Sequence, residues 1–290
     1  MRILTIAFTT VLLLIISGCA YNPERDKDCP GCDLSGADLS GADLSGVDLT
    51  DANLREANLR KADLREADLS GADLTYANLT NTNLTDATMR NGILFRAELS
   101  SADLTQTNLT SARFSGVNLT NANLTDSNLT KANLTNANLT NANLTDANLS
   151  GADLTYANLS EANLSEAYLA YANLRETNLG EANLTGARLT GADLIQADLT
   201  QADLTRVSSI DADLTDANLT SANLTRANLT RANLTQADLT RANLTGTNLS
   251  EASLLAADLS RADLNGAKLD GVIGADFTGA LNVPSKYLGD

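Results

Sequence analysis

The stretch Ala132-Asn133-Leu134-Thr135-Asn136-Ala137-Asn138-Leu139-Thr140-Asn141 states one five-residue unit twice: a small residue, Asn or Asp, Leu, a hydroxyl residue, and a variable fifth. Leu returns at every fifth position from Leu34 to Leu269, and only Met89, Phe114 and Ser209 depart from it. A period of five is neither the 3.6 of a helix nor the 2 of a strand. Fixed self-similarity at a short period is the mark of a solenoid. If each unit is a short edge followed by a turn, every Leu points inward. Successive coils then stack at the strand spacing of about 4.8 Å.

The small position is usually Ala, and its departures stay compact, among them Thr82, Thr107, Val117, Ser127, Thr177, Val207 and Thr247. One large and one small side chain per edge suit a narrow tube, each buried Leu contributing about 1.5–3 kcal/mol. The other three residues of each unit are expected to face solvent. Residues twenty apart, such as Asn118, Asn138, Asn158 and Asn178, would stack, and their amides could hydrogen-bond up a ladder.

Over roughly residues 29–282 the chain resembles the pentapeptide-repeat proteins. That resemblance implies an all-β fold, a right-handed quadrilateral parallel β-helix with four units to the coil. It implies about twelve coils and a rod on the order of 58 Å long.

Arg2 is followed by an apolar run from Ile3 to Ile16, too short for the roughly twenty residues of a membrane span but suited to the core of a secretory signal. The run ends in Ile16-Ser17-Gly18-Cys19, which resembles the lipobox of bacterial lipoproteins. The resemblance implies a signal peptide at 1–18, lipidation of Cys19, and a mature chain tethered to a membrane by its first residue. Ala20 rather than Asp follows, which implies the outer membrane, facing the periplasm. A plain signal peptide or an N-terminal anchor helix is the alternative. Residues 19–28 then form the lipidated start and a short linker, 29–282 the repeat domain, and 283–290 a terminal cap.

The formal net charge is −16 and the chain has neither His nor Trp. So acidic a chain is not expected to attract nucleic-acid phosphates or anionic head groups in bulk. Besides Cys19 there are Cys29 and Cys32, in Cys29-Pro30-Gly31-Cys32. A C-x-x-C pair is often redox-active or half a zinc site, yet zinc needs further Cys or His ligands. The repeat register puts Cys29 at a Leu position and Cys32 at an Ala position. The pair is therefore read as an inward-facing cap, with a possible disulfide in an oxidising compartment.

No catalytic constellation emerges. Stacked carboxylates such as Asp43 and Asp63 are repeat positions on an exposed surface, and no base is available to activate a Ser or Thr. No enzyme activity, cofactor or metal is expected. Binding would be encoded by deviations from the repeat on its surface. Tyr76, Phe95 and Tyr156 fall on one face, with Ile195 and Leu255 farther along it. Arg206 and Arg226 share another position, one coil apart. These five, Tyr76, Phe95, Tyr156, Arg206 and Arg226, are the candidate interaction residues.

Three stretches break the register: Met89 to Phe95, Arg113-Phe114, and Val207-Ser208-Ser209-Ile210. Each is expected to kink or distort its coil. After Leu269 the frame shifts, and Leu281, Val283, Tyr287 and Leu288 are expected to cover the last coil. The leading expectation for function is a membrane-tethered scaffold or protein-binding rod of the cell envelope. The alternative is an acidic DNA mimic that binds a nucleic-acid enzyme such as DNA gyrase, as some pentapeptide-repeat relatives do. Flat Thr ladders for ice or polysaccharide are a third idea.

Overall fold

The computed structural model describes residues 28–287, and the backbone of two short strands before them, β1 (Leu14–Ile16) and β2 (Cys19–Tyr21), paired antiparallel. The remainder of the expected signal and linker, and Leu288 in the tail, lie outside the described residues, as does the side chain of Cys19.

The fold follows from where five backbone N–H groups go in each unit. In the unit 137–141, Ala137 donates to the Leu134 carbonyl at 3.0 Å and closes a turn. Asn138 donates back one coil to Val117 at 2.9 Å, while Leu139 and Asn141 donate forward to Asn158 and Ser160 at 2.7 and 3.1 Å. The fifth donor, Thr140, reaches the Asn138 side chain, 3.1 Å from Oδ1. Every backbone donor of the unit is satisfied, as a close-packed fold requires. The Asn or Asp before Leu is thus an Asx-turn acceptor, which explains that residue choice at the position.

Inter-coil pairing is by single-residue parallel bridges. Asp33 pairs with Asn53, Asn53 with Asp73, and so on to Ser253 with Ile273, always twenty residues apart. A twenty-residue period holds four five-residue units per coil. The core is a single stack of Leu and Ala along the axis, most of them 0–1% exposed. Where Thr replaces Ala, the buried hydroxyl donates to a carbonyl of the preceding coil. Thr107 reaches Leu84 at 2.8 Å and Thr247 reaches Leu224 at 2.7 Å.

Each turn needs a left-handed residue. Every fifth residue from Gly31 to Gly271 has a positive φ, as a turn of type II requires at its second central position. Most are not glycine: Tyr76, Tyr156, Arg206 and Arg226 all stand there, at 58–61°. Such residues adopt this region at a cost, and the inter-coil hydrogen bonds on both sides hold them in it.

Several expectations change. The Asn/Asp and Thr positions are mostly half-buried, because each is engaged with its neighbour coil; the corner residue is the one most fully exposed. Bridging continues unbroken through Ile93, Arg113 and Ser208, so the irregular stretches do not interrupt the register. Met89, Phe114 and Ser209 simply occupy inward positions. Pairing is made by backbone, which is indifferent to the size of the inward side chain. At the C-terminal end the offset falls to eighteen, Asp263 bridging Leu281. There Phe277, Ala280, Val283 and Tyr287 pack on the core, and the Tyr287 hydroxyl accepts from the Leu269 N–H at 3.0 Å. Leu281 was expected to help cover this end, but its side chain is 49% exposed, because its backbone is used to continue the ladder.

Candidate functional site

At the first coil, Cys29 and Cys32 are partly buried against the core and their sulfurs are in contact, with Cα atoms 5.4 Å apart. Beside them the Asp28 carboxylate accepts from the Asp48 N–H at 3.0 Å. That occupies a donor which in later coils is satisfied by the coil before.

Among the sequence candidates, Tyr76 and Phe95 do meet. Their rings are 5.8 Å apart, edge to face, and the Arg96 guanidinium sits 5.2 Å from the Phe95 centroid. Tyr156 stands at the same corner as Tyr76 but eighty residues on, which is four coils away. It engages Glu176, whose carboxylate raises the Tyr156 pKa. The aromatic candidates therefore form one pair and one separate residue. Arg206 and Arg226 occupy one corner in successive coils, and neither makes an ion pair among the described residues. Arg231, nearby in sequence, is clamped by Asp211 through two contacts of 2.7 Å.

Corner side chains lean toward the following coil. Where that coil has glycine, the side chain lies across it: Arg96 over Gly116, Glu166 over Gly186, Tyr171 over Gly191. At Gly186 the corner opens into a cleft of about 420 Å³ lined by Glu166, Gly186, Arg188, Thr190, Arg206 and Ser208. The Arg188 guanidinium stacks 4.4 Å from the Tyr168 ring centroid at its edge. Of these residues only Arg206 was singled out from sequence as a binding candidate. The signal that points to the others is the replacement of the Asn/Asp position by Tyr168, Arg188 and Ser208 in three successive coils.

Among the described residues no group of three or more His, Cys, Asp or Glu is arranged to hold a metal. Several carboxylates are engaged by neighbouring side chains. Asp63 is bound by Arg65, and Asp33 by Ser35 at 2.7 Å; both are held below the usual carboxylate range, mainly by those side-chain hydrogen bonds.

The family model described as Pentapeptide repeats matches residues 32–71, 52–91, 97–136, 132–169, 167–206, 212–250 and 237–281. The chain belongs to the pentapeptide-repeat family. No catalytic family is indicated for this pentapeptide-repeat chain. It is similar to HetL, a pentapeptide repeat protein involved in heterocyst differentiation regulation from the cyanobacterium Nostoc, at 30% identity over 90% of this chain and 93% of that one, with a TM-score of 0.31. A pentapeptide repeat protein of the Arabidopsis thaliana thylakoid lumen is 39% identical over 34% of this chain and 66% of its own, TM-score 0.21. The plasmid-mediated fluoroquinolone resistance protein QnrB1 is 16% identical over 91% and 98%, TM-score 0.35. No curated protein matches the sequence.

Proposed function

We propose that this pentapeptide-repeat protein is a non-enzymatic, lipid-anchored rod of the bacterial cell envelope that binds other proteins. The observation that carries the binding role is the twenty-residue register, unbroken from Asp33 to Ile273. It makes a stiff scaffold whose only freely variable positions are its exposed corners and faces. We take the coil as right-handed and quadrilateral, of about twelve turns, as the family implies. The tether rests on the sequence around Cys19: an apolar run, then Ile16-Ser17-Gly18-Cys19. On this reading residues 1–18 are the signal, 19–28 the lipidated start and linker, 29–282 the rod and 283–290 its cap. Cys29 and Cys32 form a disulfide at the membrane-proximal end, where an oxidising compartment permits it.

Growth with a radiolabelled or clickable fatty acid, followed by fractionation, tests the placement. The full-length protein should carry label and sediment with membranes. Cys19→Ala should lose both. Label persisting in the variant, or unlabelled wild type in the cytosol, would overturn the anchor. The second outcome would favour the acidic mimic of DNA, for which the charge of −16 speaks.

A further inference from the structure

Each Asn or Asp before the central Leu accepts a hydrogen bond from the backbone N–H two residues on. Ser150 donates to Asn148 at 3.0 Å and Thr230 to Asn228 at 3.2 Å, on the same face. Between these two coils the position holds Tyr168, Arg188 and Ser208 in turn. The N–H groups of Ala170, Thr190 and Ile210 consequently have no acceptor among the described residues. Elsewhere on any face at most two successive coils lack the Asx residue, at Ile93 with Arg113 and at Ser253 with Ile273. Three stacked amide donors, about 4.8 Å apart, form a column of partial positive charge.

Of that column Thr190 lines the cleft at Gly186, and Ile210 follows two residues after the lining residue Ser208. Arg188 and Arg206 line the cleft, and among the described residues neither makes an ion pair with a carboxylate, in a chain that carries −16 overall. Arg188 is positioned by the Tyr168 ring, so less side-chain entropy is lost when it takes a ligand. Thr190 and Ser208 add hydroxyls to the cleft. A carboxylate already sits there: Glu166 lies over Gly186, where any Cβ would collide with it. Guanidinium forks and oriented amides together suit an oxyanion.

We propose that this cleft binds an oxyanion, a carboxylate or phosphate group, held by Arg188 and Arg206 and by the free N–H column at Thr190 and Ile210. Glu166 is its internal competitor. The inference does not depend on where in the cell the protein resides.

Calorimetric titration of the purified full chain with inorganic phosphate and with an acetylated triglutamate peptide, at low salt, tests it. Wild type should bind at least one probe saturably at one site. Preference for phosphate points to a free anion, and preference for the peptide to an acidic partner protein. The double variant Arg188→Ala/Arg206→Ala should bind at least about tenfold more weakly. Arg241→Ala, at another corner, removes the same kind of charge and should leave affinity within about twofold. Ser208→Asn restores the Asx acceptor for Ile210 with no change of charge and should also weaken binding. Glu166→Gln should tighten it. Absence of saturable binding by wild type, or equal affinity in the double arginine variant, overturns the site. Wild-type affinity in Ser208→Asn overturns the role of the amide column. Circular dichroism on each variant separates lost binding from lost fold.

Discussion

The ring of Tyr171 lies over Gly191 in the next coil, so close that a Cβ on Gly191 would stand 2.7 Å from the ring carbon Cε1. Gly191 also has a φ of +65°. Gly36 shares that φ but has nothing within 4 Å of a built Cβ. Gly36→Ala should therefore cost only the left-handed penalty, about 1 kcal/mol. Gly191→Ala should cost more, and Tyr171→Ala should remove the excess. A double-mutant cycle from urea unfolding measures the coupling; no coupling between 171 and 191 would refute the contact.

The register is tested at Leu139 and Thr140. Leu139 is fully buried, so Leu139→Ala should cost about 2–5 kcal/mol through lost transfer energy and a cavity. Thr140 is half-buried and donates its hydroxyl to Asn138 Oδ1 at 2.7 Å, and Thr140→Ala should cost about 1 kcal/mol. Leu139→Asp should disrupt the rod, while Thr140→Asp should leave a β-type circular dichroism spectrum. Equal effects at the two positions would shift the assigned register by one.

Thr107 probes the buried hydroxyls. Thr107→Val keeps the volume and removes the bond to the Leu84 carbonyl. That carbonyl still accepts from the Ala87 N–H at 3.0 Å, so no acceptor is orphaned. The cost should be about 1 kcal/mol, well below that of Leu139→Ala. A loss as large as that of the cavity variant would mean the hydroxyl orders the coil.

Acid should unfold the protein. Asp48, Asp63 and Asp258 are held below the usual carboxylate range, chiefly by hydrogen bonds from Thr50, Arg65 and Ser260. A depressed folded pKa adds stability that is fully present above the unfolded value, about 3.9. It is lost as pH falls through the folded values. Urea midpoints should therefore fall below about pH 4. Ser35→Ala should move the Asp33 titration, followed by NMR, up toward the ordinary value. A midpoint that rises into acid would show that relief of the net negative charge dominates instead.

The inward half of this architecture was legible because burial fixes residue type. Leu and Ala at fixed spacing have no other use, and they are where the core is. The corners were not legible. Tyr76, Glu161 and Arg206 have no preference for positive φ, so nothing in their identity marks a left-handed turn; the hydrogen bonds of adjacent coils impose it. The amide ladder was anticipated in kind but misplaced in detail. Asn143, Asn163 and Asn183 do link amide to amide, at 3.3 and 3.1 Å. Asn158 donates only to the Thr140 hydroxyl, at 3.0 Å, whereas Asn163 divides its amide between the Thr145 hydroxyl at 2.8 Å and Asn143. The cleft at Gly186 was hidden for a related reason. Each of Tyr168, Arg188 and Ser208 is an ordinary surface residue alone, and only their alignment every twenty residues frees a row of donors.

The twenty-residue pairing also sets a grammar for length changes. Adding or deleting twenty residues lengthens or shortens the stack by one layer and leaves every longitudinal column in line. Adding five turns all that follows by a quarter revolution. Tyr168 would then face a different column from Arg188 if the insertion fell between them, though each unit would still bury its Leu. Growth of such a chain is thus permissive for stability and strict for surface pattern, so a partner-binding column survives only those duplications that come in whole turns.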